Sequence, residues 1–179
     1  MKIESCDIEI LKIPVEDAYQ AAGRPVDANW HVLARIRTTD GIEGIGYIVQ
    51  PRGDLMRTIA AGAGELSEGL PGMDVRDTEA IWATLAGRAN WVGPGGLLHW
   101  SLAPIDIAIW DIKGKHFGVP IHQLMGGPLR TSVRAYATGT YRTRTGDPMD
   151  YIVREAAGYK AEGFTAMKLK IGFNVADDT

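Results

Sequence analysis

The sequence has little cysteine and no long apolar run, and these absences exclude several classes of protein. Cys6 is the single cysteine among 179 residues, which excludes an intrachain disulfide framework and favours a reducing compartment. The first residues are charged and contain no apolar core of a signal peptide, and no stretch is apolar for long enough to span a bilayer. We therefore expect a cytoplasmic protein.

A strong charge imbalance and an internal repeat are also missing. The formal net charge of −3 leaves no electrostatic footprint for nucleic acid or for an anionic membrane. The 22 glycines are spread over turns and helix ends, without a repeat or a low-complexity tract. Hydrophobic residues make up 45% of the chain, which is typical of a globular protein with one domain, or one domain and part of another.

Apolar alternation predicts three strands at the start of the chain. They are expected over residues 2–13, 32–37 and 42–49, and the turn signal Thr39-Asp40-Gly41 joins the last two in an antiparallel meander. The stretch from Pro14 to Asn29 has no clear periodicity. It predicts a long loop, which is either a lid over a site or a plain connection.

Helical signals follow the strands. One helix is expected from a cap at Asp54 to about Glu68, and a second from Asp74 or Asp77 towards Trp91. The strongest signal is an apolar repeat with spacings of 4, 3, 4 and 3 from Leu98 to Ile112, which predicts a core helix.

The pattern changes after the turn Gly126-Gly127-Pro128. A strand over residues 132–138, a helix capped by Asp147 and a strand over residues 164–171 predict a βαβ unit with parallel pairing. We therefore divide the chain into a first domain, residues 1–127, and a βαβ unit, residues 128–179.

Two lysines share one face of the last predicted strand, and an apolar face lies behind them. Lys168 and Lys170 are two residues apart, and Met167, Leu169 and Ile171 point the other way. Lysines on an edge strand that prevent unwanted pairing would explain this pattern. In a β/α barrel the apolar face would instead pack on helices, and the lysines would point inwards at the catalytic end. Two close ammonium groups disfavour each other there, so one lysine can act as a base.

Several motifs together resemble one known family. The run from Asp106 to Lys115 (DIAIWDIKGK), then Gly118-Val119-Pro120, Leu124-Met125-Gly126-Gly127 and Lys168-Leu169-Lys170 resemble the enolase superfamily in its mandelate racemase and muconate lactonizing enzyme branch. The resemblance implies an α+β capping domain followed by a (β/α) TIM-type barrel, truncated here after barrel strand 2. It also implies Mg²⁺ and removal of the proton α to a carboxylate, for which enolase-superfamily sites are a standard example.

The resemblance also implies roles for individual residues. Lys170 is the expected general base, and Lys168 is expected to activate Lys170 and to help hold the substrate carboxylate. Residues 14–29 and 50–53 match the two capping loops that close over the barrel mouth. The candidate substrate-binding residues are Tyr19, Trp30, Tyr47, Thr138 and Tyr141. Ordinary packing would also explain the first three, and the metal ligands are expected beyond Thr179.

The predicted function is therefore that of the N-terminal part of a Mg²⁺-dependent acid-sugar dehydratase, and this part alone is expected to be inactive. A racemase, an epimerase and a cycloisomerase are alternatives within the same superfamily. A non-enzymatic α+β interaction module is the alternative from another class. The expected partners are a small carboxylate substrate and further copies of the same chain, with neither nucleic acid nor a membrane.

Overall fold

Long strands open the chain, and a long helix follows them. The computed structural model describes residues 1–21, 24–143 and 147–170. The strands are β1 (Ile3–Ala21), β2 (Arg24–Thr38), β3 (Glu43–Gln50), β4 (Ala137–Thr138), β5 (Arg142–Thr143) and β6 (Met167–Lys168). The helices are α1 (Met56–Ser67), α2 (Thr78–Arg88), α3 (Gly96–Phe117), α4 (Ile121–Leu124) and α5 (Pro148–Ala161). Within these described ranges, no helix has the length and apolar character needed to cross a membrane.

The chain divides into two compact units. The first unit contains residues 1–13 and 29–129, and the second contains residues 14–28 and the chain from residue 130 onwards. Both β1 and β2 therefore continue from the first unit into the second. The division at residue 127 stays a prediction, and the structure adds that residues 14–28 group with the second unit.

Strand β2 lies between β3 and β1 in the sheet. The strand order is β3-β2-β1-β5, and β2 pairs with β3 in antiparallel register from Trp30↔Gln50 to Arg37↔Glu43. Val32, Ala34 and Ile36 point into the core and are fully buried. The alternation predicted for this strand is therefore observed.

Helix α3 packs across β3 and supplies much of the core. Its buried residues include Leu102, Ile105, Ile109 and Ile112, which are four of the five positions in the predicted repeat. Gly118 ends the helix in the left-handed conformation, with φ of 66°, where a glycine carries no steric penalty.

Two local expectations for the first 55 residues are wrong. The stretch predicted as a loop between Pro14 and Asn29 is extended, because β1 runs to Ala21 and β2 begins at Arg24. The main chain of β1 is hydrogen-bonded to β2, and at Tyr19 and Gln20 it also pairs with the distant β5, and the weak periodicity of the stretch reveals neither partner. Asp54 does not cap α1, because its carboxylate pairs with the Arg52 guanidinium at 2.7 Å.

The second unit contains the predicted parallel pairing. Strand β4 pairs with β6 in the register Ala137↔Met167 and Thr138↔Lys168, and α5 connects them. Asp147 caps α5 as expected, since its Oδ1 accepts a hydrogen bond from the Met149 amide at 2.8 Å. Each of the two strands is shorter than predicted, and Ile171 lies outside the described residues.

Candidate active site

The two candidate catalytic lysines lie at the carboxyl end of β6. Lys168 is the register partner of Thr138 on β4, and the side chains of both residues are exposed. Lys170 follows two residues later and is half-buried. Thr138 is therefore placed beside the first lysine of the pair, at the end of the neighbouring parallel strand.

Two tyrosine rings accompany Lys170. The Nζ atom of Lys170 lies 5.4 Å from the centre of the Tyr141 ring, within the range of a cation–π contact. The rings of Tyr141 and Tyr19 have centres 4.3 Å apart and are inclined by 37°. Three residues predicted from distant parts of the sequence are therefore brought together in the second unit.

Main-chain pairing explains how Tyr19 reaches this position. Tyr19 is the register partner of Thr143 and Gln20 that of Arg142, so β1 pairs with β5 next to Tyr141. Burial, with a smaller contribution from Tyr141, raises the pKa of the Tyr19 phenol. A tyrosine is already a neutral phenol at physiological pH, and the shift moves the pKa of Tyr19 further from that range, so its hydroxyl can donate a hydrogen bond.

The other two predicted aromatics belong to the first unit. Trp30 is half-buried, lies 5.2 Å from the Lys12 ammonium and packs against Gly53, where a Cβ atom would come within 3.0 Å of the indole. Tyr47 is 53% exposed, and its ring centre lies 5.5 Å from that of His31. Their roles in substrate binding stay predictions.

A polar cluster beside the lysines was missed by the sequence reasoning. Thr140 is 4% exposed, and its amide donates to Glu155 Oε2 at 2.5 Å. Glu155 Oε1 accepts a hydrogen bond from the Tyr159 hydroxyl at 2.7 Å. The one local signal for this cluster was the i, i+4 spacing of Glu155 and Tyr159, which places them on the same face of α5.

The described residues contain no group that fits the expected metal ion. Within residues 1–21, 24–143 and 147–170, no three His, Cys, Asp or Glu side chains come together as a metal site. Mg²⁺ prefers several oxygen ligands in near-octahedral geometry, and such a set is not assembled by this part of the chain.

These observations define a class of protein: an α+β unit joined to a parallel βαβ unit, with paired lysines at the end of the second parallel strand. Residues 7–126 match the family described as mandelate racemase / muconate lactonizing enzyme, N-terminal domain, and the chain belongs to this family. The predicted resemblance is thereby confirmed.

Relatives with assigned activities are similar over nearly the whole chain. D-galactarolactone cycloisomerase of Agrobacterium fabrum is 41% identical over 178 residues, which are 99% of this chain and 46% of that protein. L-talarate/galactarate dehydratase of Salmonella typhimurium is 34% identical over 171 residues, covering 94% of this chain and 42% of that protein. The chain thus spans somewhat less than half the length of these relatives.

A crystal structure of the Salmonella dehydratase has a similar fold. It superposes with a TM-score of 0.87 at 29% sequence identity and covers 99% of this chain and 46% of the dehydratase chain. That enzyme has also been solved with Mg and L-lyxarohydroxamate. The capping-domain fold is therefore shared with an enzyme whose crystal structure contains Mg.

Proposed function

We propose that the whole protein is a Mg²⁺-dependent enzyme that removes the proton α to the carboxylate of an acid sugar. The observation that carries the proposal is the half-buried Lys170, two residues beyond the end of β6, with Lys168 as the last residue of β6 and the Tyr141 ring centre 5.4 Å from Lys170 Nζ. A dehydratase is the main candidate. A cycloisomerase is the second, because a relative 41% identical carries that activity.

We also propose that β4, α5 and β6 form the first βαβ unit of a TIM-type barrel. The parallel register of β4 with β6 supports this, as does the connecting helix between them. Met167 is 40% exposed and Leu169 is 55% exposed. Apolar side chains of this kind cover the outer face of a barrel strand and pack against helices in a complete barrel. The three-stranded antiparallel meander expected in the capping domain belongs to the same proposal.

The chemistry of the described residues suits proton abstraction. Lys170 is the proposed base that accepts the α-proton at Nζ, and its half-buried position limits access of water. The Tyr141 ring face lies beside Nζ, where a cation–π contact would stabilise the ammonium that forms once Lys170 has accepted the proton. Tyr19, whose ring centre lies 4.3 Å from that of Tyr141, is a proposed hydrogen-bond donor to a substrate oxygen.

Mg²⁺ is a further part of the proposal, supported by family membership and by the Mg in the Salmonella relative. Its ligands would lie outside the described residues. A homo-oligomeric assembly and a cytoplasmic location stay predictions from the sequence.

The test is isotope exchange by the full-length protein. The protein is incubated with Mg²⁺ in D₂O with galactarate, L-talarate, D-galactonate and D-galactarolactone, and deuterium at the α-carbon is followed by NMR and mass spectrometry. Loss of water distinguishes a dehydratase from a cycloisomerase, which changes the lactone ring without losing water. Lys170→Ala should reduce exchange by about 10³-fold or more, because a proton cannot be removed without the base.

Lys160→Ala is the matched control, because Lys160 is an exposed lysine on α5 of the same unit. It should exchange at the wild-type rate. Absence of exchange with every substrate would reject the proposal and favour a binding module. Equal rates for Lys170→Ala and wild type would reject Lys170 as the base.

A further inference from the structure

Thr140 has an unusual backbone conformation directly before Tyr141. Its φ is 54°, in the left-handed region, which a β-branched residue rarely adopts because its Cβ substituents crowd the main chain. The residue is also buried. Such a conformation persists only where surrounding contacts hold it, so the contacts of Thr140 indicate what the loop is built to maintain.

Hydrogen bonds from the Thr140 amide and from the Thr140 hydroxyl hold the residue in place. Its amide donates to the Glu155 carboxylate at 2.5 Å, a short bond to a charged acceptor. Its hydroxyl has one hydrogen, which is shared between the carbonyl oxygens of Gly139 at 2.7 Å and Lys168 at 3.2 Å. Thr140 therefore connects a carboxylate on α5 to the main chain of the first lysine in the pair.

Glu155 is itself held by a second residue of α5. Tyr159 donates to Glu155 Oε1 at 2.7 Å, and this hydrogen bond is the main cause that raises the pKa of Tyr159 to about 12. The Tyr159 ring meets Phe164 edge-on, with ring centres 6.0 Å apart. Gly139 completes the arrangement, since a Cβ atom there would collide with both the Tyr159 hydroxyl and the Glu155 carboxylate.

The hydrogen-bonded cluster of Thr140, Glu155 and Tyr159 adjoins two groups next to Lys170, which are the main chain of Lys168 and the ring of Tyr141. The Lys168 carbonyl oxygen accepts a hydrogen bond from the Thr140 hydroxyl. Lys168 precedes Lys170 by only two residues on the main chain. Tyr141, the residue after Thr140, carries the ring that lies 5.4 Å from Lys170 Nζ. A change in the conformation of Thr140 would therefore shift the backbone of the lysine strand and the ring that orients the ammonium.

We propose that Glu155 is a positioning residue, which sets the location of Lys170 through Thr140 in the reaction proposed above. This inference rests on the proposed function for its catalytic consequence, whereas the placement of Lys170 can be measured without any activity. A displacement of the base by about 1 Å would lower the rate by about 10- to 100-fold, because the base must stand within hydrogen-bond reach of the α-proton.

The variants separate positioning from stability. Thr140→Val keeps the branched shape and removes the hydroxyl, and Thr140→Ser keeps the hydroxyl. Glu155→Ala removes the acceptor of the Thr140 amide. Glu162→Ala is the control, because Glu162 is exposed at the end of the same helix. If Glu155→Ala does not fold, the pair of Thr140 variants carries the test.

The first measurement is acetylation of Lys170 in the full-length protein by limiting acetic anhydride over a range of pH, with the modified site located by mass spectrometry. Thr140→Val and Glu155→Ala should change the Lys170 acetylation rate at least threefold. Thr140→Ser and Glu162→Ala should match wild type. The second measurement is α-proton exchange, where Thr140→Val should lose about 10- to 100-fold in kcat at little change in KM and Thr140→Ser should recover most of it.

The outcomes for the two proposals are distinct. Altered acetylation in Thr140→Val, with no exchange by wild type, would support the positioning role and reject the proposed function. Wild-type acetylation and wild-type kcat in Thr140→Val, in a protein that exchanges normally, would reject the positioning role and leave the proposed function standing.

Discussion

Replacement of Gly46 by alanine tests the closest approach of main chains in the first unit. Gly46 lies on β3, where α3 crosses the strand. A Cβ atom at this position would lie 2.9 Å from Ile107 Cβ and 2.5 Å from the Ala108 nitrogen, and closer still to the Pro104 carbonyl oxygen. Two of these three atoms belong to the main chain of α3, so no side-chain rotation relieves the collision.

The expected cost follows from the distance that α3 would have to move. Carbon atoms in contact sit about 3.5–4.0 Å apart, so the helix must retreat from β3 by about 1 Å or more. The retreat would open a gap beside Ile105 and Ile109, which are at most 1% exposed, and a gap of that width forfeits about a quarter to a half of each contact. Overpacking of this kind costs about 1–3 kcal/mol, and we expect about 3 kcal/mol because backbone atoms cannot yield.

The assay is thermal unfolding of the full-length protein, followed by circular dichroism. Because unfolding entropy is about 2.1 cal/mol/K per residue and the relatives are about twice as long as this chain, a loss of about 3 kcal/mol should lower the Tm of the full-length protein by roughly 4 °C. Gly64→Ala is the matched control, because Gly64 lies inside α1 with open space around its Cβ position. It should raise stability by about 0.5–1 kcal/mol, since alanine is the better helix former. A Gly46→Ala protein that melts within 2 °C of wild type would refute the reasoning.

Two further substitutions and one chemical modification have defined expectations. Asp111→Ala should cost about 1 kcal/mol in thermal unfolding, because its carboxylate accepts the Ile45 amide of the edge strand at 2.9 Å; unchanged stability would contradict this. Hydrogen bonds from Arg76 hold the pKa of Asp74 well below its usual range, so Asp74 stabilises the fold above about pH 4 and this contribution is lost as the pH falls. The Tm advantage of wild type over Asp74→Asn should therefore shrink between pH 5 and about pH 2, and a constant difference would exclude the effect. Burial raises the pKa of the Cys6 thiol to about 11, so a thiol reagent such as DTNB should modify folded protein at pH 8 at least about 10-fold more slowly than unfolded protein.

Helices could be predicted because their signals are local. The apolar repeat of α3 and the Asp147 cap of α5 depend on residues within one or two turns, and both are present in the structure. Asp54 shows the limit of this reasoning, because a nearby Arg52 competes for the carboxylate that would have capped α1.

The extended course of residues 14–21 and 24–28 could not be predicted in the same way. A strand without a partner has no stability of its own. Strand β1 is hydrogen-bonded to β2, and at Tyr19 and Gln20 it also pairs with β5, which lies more than 120 residues away. The apolar periodicity of this stretch is weak because its extended conformation depends on main-chain hydrogen bonds. Any non-proline residue can form these bonds, whatever its side chain. A long loop was therefore the natural expectation from composition alone.

In the candidate site, the proposed reactive residues form a pattern in the sequence, whereas the residues that hold them in place do not. Lys168 and Lys170 could be named as candidates from their spacing, from the apolar face behind them and from the family resemblance, and their roles stay predictions. The residues that hold these lysines in place could not be identified in this way. Glu155 accepts a hydrogen bond from a main-chain amide and Thr140 donates one to a main-chain carbonyl, and main-chain groups leave no pattern in the sequence. The left-handed φ of Thr140 also has no sequence signal, since threonine is not a residue that favours it.

Tyr19 and Lys170 are held in the proposed site in different ways, by main-chain pairing and by particular side chains respectively. Tyr19 is held beside Tyr141 by pairing of β1 with β5, which does not depend on the identity of the side chain at position 19. Substitution there can change the group offered to a substrate oxygen while the segment stays in place. Lys170 depends instead on particular side chains, Thr140 and Glu155, so its placement tolerates less change.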